Sequence, residues 1–283
     1  MPDVDVRAKY GAINGATVGN APPIIPFSMS VEGLEGTGKT QFGICTGPLP
    51  VVHVNFADRE ATRFLYEVSD TRRKAITLYS FVPTSTQGWT RSEASKSLVA
   101  LSEIAQSEMK DGKLRGGTFI LDSGSSWWDA IQEVYVAPKE EERDREGKKR
   151  AGGLIYSEGN LIVSGVVSWL RSQGAFFVMT HQKRQRWDKD GPVPGAYDAR
   201  INSKVPFLVE VRLDLRKVCA VETCGGLDCR AQGHIGRKHI GRLIKFAANT
   251  AMEGIEYYNE QINFANIYTL YAGGPFPEPE RLA

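Results

Sequence analysis

The sequence predicts an α/β fold in which a mostly parallel central sheet carries helices on both faces. Short apolar segments rich in Val, Ile and Phe alternate with segments of helical periodicity along most of the chain. Such alternation is typical of βαβ units, which build parallel sheets. A glycine-rich turn joins the first apolar segment to the first helical one, and the C-terminal third changes to segments typical of hairpins. We therefore expect a parallel core with a C-terminal β-hairpin extension.

The predicted core begins near Pro23, where the β-prone segment IIPFSMSV runs into the glycine-rich turn. The following KTQFGICTG can start a helix, which Gly47 and Pro48 then stop. Further strands and helices alternate after it. The strands are predicted in VVHVNF, AITLYSF, GGTFILD and AFFVMTHQ, and the helices in REATRFLYEVS, RSEASKSLVALSEIAQSEMK, SSWWDAIQEVYV and SEGNLIVSGVVSWLRSQ.

In the C-terminal third, PFLVEVRLDLRKVCAV and GRLIKFAAN favour strands joined by hairpins, and YNEQINFANIYTLYAGG favours a helix and tail. Residues 1–22 are rich in Gly, Ala, Asn and Pro without periodicity, so they are predicted to form a flexible N-terminal arm. A chain of 283 residues suits one large α/β domain, which we assign to residues 23–283.

Composition narrows the class of protein. Hydrophobic residues make up 41% and charged residues 24% of the chain, which is typical of a globular protein. We expect no membrane association and a cytoplasmic location, because the sequence shows neither a membrane-spanning apolar run nor an N-terminal signal pattern. The formal net charge of +2 is too small to indicate nucleic-acid binding by itself.

The glycine-rich turn has the spacing of a P-loop, Gly33-x-x-x-x-Gly38-Lys39-Thr40. In a P-loop, consecutive backbone N–H groups surround phosphates at a helix N-terminus, which favours anions. Lys39 would reach the β- and γ-phosphates, and the Thr40 hydroxyl would ligate Mg²⁺. The alternative is a glycine-rich turn that matches by chance. The predicted ATP-binding residues are Gly33, Leu34, Glu35, Gly36, Thr37, Gly38, Lys39, Thr40 and Gln41.

A carboxylate stands where a magnesium site would need one. Asp122 ends the apolar segment TFILD, and a carboxylate there can hold the Mg²⁺ hydration shell, as in the Walker B role. The predicted metal residues for Mg²⁺ are therefore Thr40 and Asp122. The alternative is that Asp122 only caps the next helix.

Further polar residues follow two other predicted strands. Asp58 and Glu60 come after VVHVNF, and Glu60 is the predicted carboxylate that orients the attacking water. Both acids could instead only open the following helix. Gln182 follows Thr180 and His181 at the end of FFVMTHQ and is the predicted γ-phosphate sensor. The alternative is a solvent-facing strand end without a function. The predicted catalytic residues are Lys39, Glu60, Asp122 and Gln182.

The order of four motifs resembles that of the RecA-type ATPase core shared by recombinases and DnaB-type helicases. These motifs are GLEGTGKT, the acid after the second strand, FILDS and VMTHQ. The likeness is greatest to compact phage ATPases of the Sak single-strand-annealing group and covers roughly residues 24–270. It implies Mg-dependent ATP hydrolysis, a homo-oligomeric ring or filament, single-stranded DNA as ligand and a single-strand-binding protein as a further partner. DnaB-like members carry a Lys-x-Arg pair that reaches a neighbour's γ-phosphate, whereas this chain has Lys245 with Ala247 in place of the arginine. Lys245 alone could act as such a finger in the manner of recombinases.

The resemblance implies two DNA-binding loops, at residues 138–153 and 183–204, and both are expected to be flexible. The second is the stronger prediction, because its basic residues can neutralise phosphates and its aromatic residues can stack on bases. In the first loop, Lys148, Lys149 and Arg150 are offset by Glu140–Glu142, so a solvated surface loop is an equal alternative. The predicted DNA contacts are Lys183, Arg184, Arg186, Trp187 and Tyr197.

A cysteine and histidine cluster occupies the predicted hairpin at residues 219–239. Cys219, Cys224, Cys229, His234 and His239 recur every five residues. Thiolates and imidazoles suit a structural Zn²⁺ ion, with Cys224, Cys229 and His234 joined by either Cys219 or His239. The alternative is a hairpin with free cysteines and a solvated basic tip.

Taken together, the sequence predicts an ATPase that acts on single-stranded DNA in recombination, annealing or repair. Two alternatives remain open at this stage. One is a DnaB-like hexameric helicase motor, against which Ala247 counts. The other is an ATP-dependent regulatory switch that binds a protein partner without touching DNA.

Overall fold

The computed structural model describes residues 24–56, 60–86, 88–147, 155–189, 191–219 and 237–274. The predicted N-terminal arm, residues 1–22, lies outside them. The described residues form an α/β domain with nine strands in one sheet. The strands are β1 Ser28–Gly33, β2 Val51–Asn55, β3 Ile76–Ser80, β4 Thr118–Asp122, β5 Phe176–Asp188, β6 Gly191–Ala199, β7 Val211–Cys219, β8 Arg237–Phe246 and β9 Glu256–Tyr258.

The sheet has the order β3-β2-β4-β5-β1-β7-β8-β9, and β6 pairs with β5 outside this path. Every contact from β3 through to β7 is parallel. The pairs β7–β8 and β8–β9 are antiparallel and form a hairpin extension at one edge of the sheet. The prediction of a mostly parallel α/β sheet with a C-terminal hairpin extension is confirmed. The order also places β5 between the strand that precedes the glycine-rich turn and the strand that ends in Asp122.

Helices cover both faces of the sheet, as predicted. On one face, α1 and α9 pack on a core that includes Val31, Ile120 and Val178. On the other face, α4, α5 and α7 pack on a core that includes Leu121 and Met179. The helices are α1 Lys39–Thr46, α2 Glu60–Phe64, α3 Asp70–Lys74, α4 Arg91–Met109, α5 Gly124–Tyr135, α6 Ala137–Arg145, α7 Ser157–Ser172, α8 Val205–Leu208 and α9 Phe264–Ala272.

Most predicted helix boundaries follow local capping signals. The Thr90 hydroxyl and the Glu93 carboxylate form a capping box at the start of α4. Ser123 caps α5 by accepting a hydrogen bond from Ser126 N. The helix predicted in REATRFLYEVS is shorter than expected, because α2 ends at Phe64. A separate helix, α3, follows after Ser69, whose side chain accepts a hydrogen bond from Arg72 N.

The first predicted flexible loop is wrong over most of its described length. Residues 137–145 form α6, with Pro138 in its first turn and basic residues in its last turn. The acidic run takes part in ion pairs, since Glu141 lies 2.7 Å from Arg91. Lys139 lies 2.6 Å from Glu158 of α7. Lys148, Lys149 and Arg150 lie outside the described residues.

The prediction that the second DNA-binding segment forms a flexible loop is also wrong. The strand expected to end near Gln182 continues to Asp188 and pairs with β6 as an antiparallel hairpin. A bulge between Gln185 and Trp187 interrupts the pairing. The sequence of this segment predicts a loop because it is polar. The strands of an exposed hairpin do not need alternating apolar residues, so they leave no strand pattern in the sequence.

Candidate functional site

The predicted site residues converge at the carboxyl edge of the parallel strands, where ligands bind in open α/β sheets. β1 ends at Gly33 and β4 ends at Asp122. Asn55, at the end of β2, lies in register with Asp122, and Gln182 lies in register with Gly33. Strand register therefore brings together residues that are far apart in sequence.

Two glycines of the glycine-rich turn adopt backbone angles that other residues rarely take. Gly36 and Gly38 adopt φ angles of 70° and 92°, which favour glycine. Gly33 has no room for a side chain, because a Cβ there would lie 2.4 Å from Thr37 Oγ1 and 2.6 Å from Leu215 O. Gly38 precedes the first residue of α1, so the turn ends at a helix N-terminus. This end of a helix favours anions.

Lys39 is folded over the turn. Its side chain is buried, and its Nζ donates hydrogen bonds to Gly33 O at 3.0 Å and to Leu34 O at 2.7 Å. Thr37 Oγ1 also donates to Leu34 O, at 2.8 Å. The turn thus holds one ammonium group at its own backbone oxygens and ends at the N-terminus of α1. An anion could replace the carbonyl oxygens as the partner of Lys39 Nζ.

Asp122 sits at the centre of a buried polar cluster. Thr40 Oγ1 donates to Asp122 Oδ2 at 2.6 Å, and Thr180 Oγ1 donates to Asp122 Oδ1. His53 Nε2 lies 3.3 Å from Asp122 Oδ2. Burial by itself raises the pKa of Asp122, but the contacts with His53, Thr180 and Thr40 outweigh it and lower that pKa. The carboxylate is therefore ionised at neutral pH.

These contacts are what a magnesium site would require of the protein. A carboxylate and a hydroxyl oxygen lie side by side, and both are oxygen donors of the type that Mg²⁺ prefers. The residues present therefore fit the ion. In the described part of the chain, no three His, Cys, Asp or Glu side chains are close enough to form another metal site.

Sequence reasoning missed His53. It lies in β2, two residues before Asn55, and both side chains are buried on the face that carries Asp122. A histidine inside the apolar run VVHVN was the available signal, because a buried polar side chain needs a polar partner. His181 is also buried, and burial lowers its pKa to about 3, so it is neutral at physiological pH.

The structure describes Glu60 only in part. Glu60 is the first residue of α2, just beyond the carboxyl end of β2. Asp58 and the Glu60 side chain lie outside the described atoms, so the water-orienting role stays a prediction. Gln182 lies within β5 rather than at its end, beside Gly33, and its backbone N donates to Ser125 Oγ at 3.1 Å.

No protein-family model matches the chain. Comparison with curated proteins likewise finds no similar sequence. The case for a function therefore depends on the geometry of the site itself. In the described part of the chain, no helix combines the length and apolar character needed to span a membrane.

The predicted DNA contacts lie on the β5–β6 hairpin. Trp187 is 71% exposed and Tyr197 is 42% exposed, as stacking would require. Lys183 is mostly buried and pairs with Asp214 at 2.6 Å. Arg186 pairs with Asp198 at 2.9 Å, and Arg184 is exposed opposite Asp198 in the hairpin register.

The cysteine and histidine cluster is described only at its two ends. Cys219 ends β7 opposite Arg237, and His239 lies in β8 opposite Lys217. Cys224, Cys229 and His234 lie outside the described residues. His239 packs against the glycine-rich turn, since a Cβ on Gly38 would lie 3.7 Å from its Nδ1. The structure thus brings one predicted zinc ligand to the candidate site.

A cavity of about 580 Å³ lies beside α1 and opens next to Gly38. Phe42 supplies an apolar wall, while His239, Asn259 and Glu260 supply polar groups. The Asn259 side-chain oxygen accepts a hydrogen bond from His239 N at 3.0 Å, which leaves the Asn259 amide N–H groups as donors. The cavity therefore combines an apolar wall with a few polar groups, as small-molecule sites do.

Lys245 lies at the opposite end of the sheet from the glycine-rich turn. It pairs with Arg212 near the start of β7, whereas Leu215 lies in register with Gly33. Its Nζ donates to Pro206 O at 2.8 Å and to Val209 O at 2.6 Å. Burial lowers the pKa of Lys245. A role for Lys245 at the nucleotide of a neighbouring copy stays a prediction.

Proposed function

We propose that this chain binds and hydrolyses ATP with Mg²⁺ as a RecA-like protein that acts on single-stranded DNA in recombination, annealing or repair. The observation that carries the proposal is the meeting of Thr40 and Asp122, 82 positions apart, at 2.6 Å beside a P-loop-like turn. If the glycine-rich turn matched the P-loop spacing only by chance, nothing would require a buried carboxylate beside the Thr40 hydroxyl. The pairing is therefore more specific than the motif alone.

The turn supports phosphate binding in particular. Lys39 Nζ donates hydrogen bonds to the backbone oxygens of Gly33 and Leu34, and Lys39 is the first residue of α1. An anionic phosphate chain would exchange these neutral partners for charge-assisted hydrogen bonds, which are stronger. The cavity beside Gly38 would take the nucleoside half of the same ligand. The site thus offers separate regions for phosphates and for a base.

Thr40 and Asp122 would hold Mg²⁺, which neutralises charge that develops on transferring phosphates. Asp122 has a lowered pKa and stays ionised, so it can keep a cation at this position. Glu60, at the start of α2, is proposed to orient water. Gln182 lies next to Gly33 in the sheet and is proposed to sense the phosphate end of the ligand.

The projecting hairpin supports the DNA assignment through its aromatic residues. Trp187 and Tyr197 are exposed on the same hairpin that carries the basic Arg184 and Arg186. Base stacking combined with phosphate neutralisation is the usual mode of sequence-tolerant single-strand binding. Assembly of several copies would place several hairpins along one DNA strand. We therefore propose that the protein acts as a homo-oligomer.

One observation favours the regulatory switch as a second candidate. Lys183 forms an ion pair with Asp214, and Arg186 forms one with Asp198. Much of the positive charge of the hairpin is therefore neutralised within the chain. A hairpin of this kind can contact a protein through Trp187 without binding phosphates. Fluorescence anisotropy with labelled single-stranded oligonucleotides, measured with and without ATP at several salt concentrations, separates the candidates.

The hydrolysis proposal is tested with Lys39→Ala. We expect the turnover of ATP to fall by about 100-fold or more, because the variant removes a positioned cation from the reacting phosphate. Lys96→Ala, an exposed lysine on α4, is the matched control and should keep wild-type turnover. Circular dichroism checks that both variants are folded. Unchanged turnover in Lys39→Ala would refute the assignment.

The DNA proposal is tested separately with Trp187→Ala. We expect the affinity for a single-stranded oligonucleotide to fall roughly 5- to 100-fold, since stacking of a base on an aromatic ring contributes about 1–3 kcal/mol. Tyr66→Ala removes another exposed aromatic side chain, 77% exposed and outside the hairpin, and is the control. Wild-type protein that hydrolyses ATP but binds no oligonucleotide would favour the switch.

A further inference from the structure

The root of the β5–β6 hairpin is held by the first turn of α5. Gln182 N donates to Ser125 Oγ at 3.1 Å, and the same hydroxyl donates to the carbonyl oxygen of Arg200. Gln182 and Arg200 flank the paired part of the hairpin, and Arg200 N donates to Gln182 O at 2.7 Å. One fully buried hydroxyl thus ties both strands of the hairpin to α5.

A second contact joins the same two elements one turn further along the helix. The Arg200 guanidinium donates to Asp129 Oδ1 at 2.5 Å. Both side chains are partly exposed, so this ion pair contributes less than the buried hydroxyl does. It adds a second contact between α5 and the residue that directly follows β6.

The start of α5 also packs tightly on β5. A Cβ at Gly124 would lie 2.5 Å from Met179 Cγ and 2.6 Å from His181 Cε1. Met179 and His181 are themselves fully buried. Close-packed interiors transmit displacement, so a movement of the first turn of α5 must also move β5 or break this contact.

The same turn of α5 follows directly from Asp122. Ser123 caps the helix, Gly124 opens it and Ser125 comes next. Asp122 meanwhile contacts Thr40 of α1 and Thr180 of β5. Only Ser123 and Gly124 separate Asp122 from Ser125, which contacts the hairpin root.

We propose that Ser125 is a positioning residue that couples the orientation of the β5–β6 hairpin to occupancy of the site at Asp122. The proposal rests on the proposed function, because it requires nucleotide and magnesium to take up the oxygens of Thr40 and Asp122. When they do, the Thr40 hydroxyl is no longer free for Asp122 and the start of α5 is held differently. Ser125 passes that difference to both hairpin strands at once.

Hydrogen exchange followed by mass spectrometry tests the coupling in the full chain. Exchange of backbone amides in residues 183–199 is measured without nucleotide and with a non-hydrolysable ATP analogue plus Mg²⁺. In the wild type we expect the ligand to change exchange in this hairpin. In Ser125→Ala we expect about 5- to 10-fold faster exchange without ligand, because a hydrogen bond to each strand is lost. The response to the ligand should then disappear.

Two further variants complete the design. Ser126→Ala removes the neighbouring hydroxyl, which lies 3.2 Å from the Ser123 hydroxyl and forms no described contact with the hairpin, and it should behave as the wild type. Asp129→Asn weakens the ion pair at a partly exposed position and should reduce the response even where Ser125→Ala is poorly folded. Analogue affinity, measured by calorimetry, should stay within about twofold in Ser126→Ala. In Ser125→Ala and Asp129→Asn the analogue should still bind, with its affinity changed only by the factor that the lost coupling contributes.

The outcomes separate the two levels of inference. Wild-type protein that binds no nucleotide would overturn the proposed function, and the coupling with it. Wild-type protein that binds the analogue while its hairpin exchange stays the same would overturn the coupling alone. A Ser125→Ala variant that keeps the full wild-type response would also overturn the role of Ser125.

Discussion

Thr40 Oγ1 donates a 2.6 Å hydrogen bond to Asp122 Oδ2, which joins the first turn of α1 to the end of β4. The helix α1 follows β1, and β5 lies between β1 and β4 in the sheet. His53 and Thr180 complete the contacts of the same carboxylate. Residues of four elements, α1, β2, β4 and β5, thus meet at one buried acid.

We predict a pH-dependent stability difference between the wild type and Asp122→Asn. The folded pKa of Asp122 is lowered, so its stabilising contribution is present above the unfolded pKa of about 3.9 and is lost as the pH falls through the lower folded value. At about pH 7 the variant should unfold with a free energy roughly 1–3 kcal/mol smaller, because charged hydrogen bonds are lost. Urea unfolding from neutral to acidic pH should show this gap closing. A gap independent of pH would contradict the prediction.

We predict that Gly33→Ala destabilises the protein by about 1–3 kcal/mol, as overpacking does. The added methyl group would lie 2.4 Å from Thr37 Oγ1 and 2.6 Å from the Leu215 carbonyl oxygen, and the latter is backbone that cannot rotate away. Gly165→Ala is the matched control, since it lies in α7 with open space at its Cβ position. The control should be stabilised by about 0.5–1 kcal/mol. Thermal unfolding of the two variants should therefore shift in opposite directions.

We predict that His239→Ala weakens the binding of ATP by about fivefold, on the basis of one lost contact. Its ring lies against Gly38 in the cavity that we propose takes the nucleoside. Inorganic tripolyphosphate, which has no nucleoside, should compete equally well in the variant and in the wild type. Competition titrations with both ligands measure the ratio. If the variant loses affinity for both to the same extent, His239 acts on the phosphate region instead.

We predict how a zinc ion would be held, if the cluster at residues 219–239 takes one. Because His239 packs against Gly38, the fourth ligand beside Cys224, Cys229 and His234 should be Cys219. Elemental analysis should then find about one zinc per chain in His239→Ala and much less in Cys219→Ser. Wild-type protein without zinc would instead support the solvated hairpin.

Local patterns were sufficient for much of the fold. The periodicity of RSEASKSLVALSEIAQSEMK and its capping Thr90 predict α4, which the structure confirms over Arg91–Met109. Short apolar runs likewise predict β2 and β4. The helix α6 was missed because its sequence is almost wholly charged, and it is held by ion pairs with Arg91 and Glu158 that come from other helices. Periodicity of apolar residues carries no signal in such a segment.

The sequence by itself determined the parallel α/β class, the turn from Gly33 to Thr40 and the carboxylate at the end of β4, because each depends on residues close together in the chain. Only the tertiary structure decided that His53 contacts Asp122, that His239 packs against Gly38 and that Ser125 holds both strands of the hairpin. Those relationships depend on strand order and register. Strand order and register arise from packing of the whole sheet rather than from any local pattern.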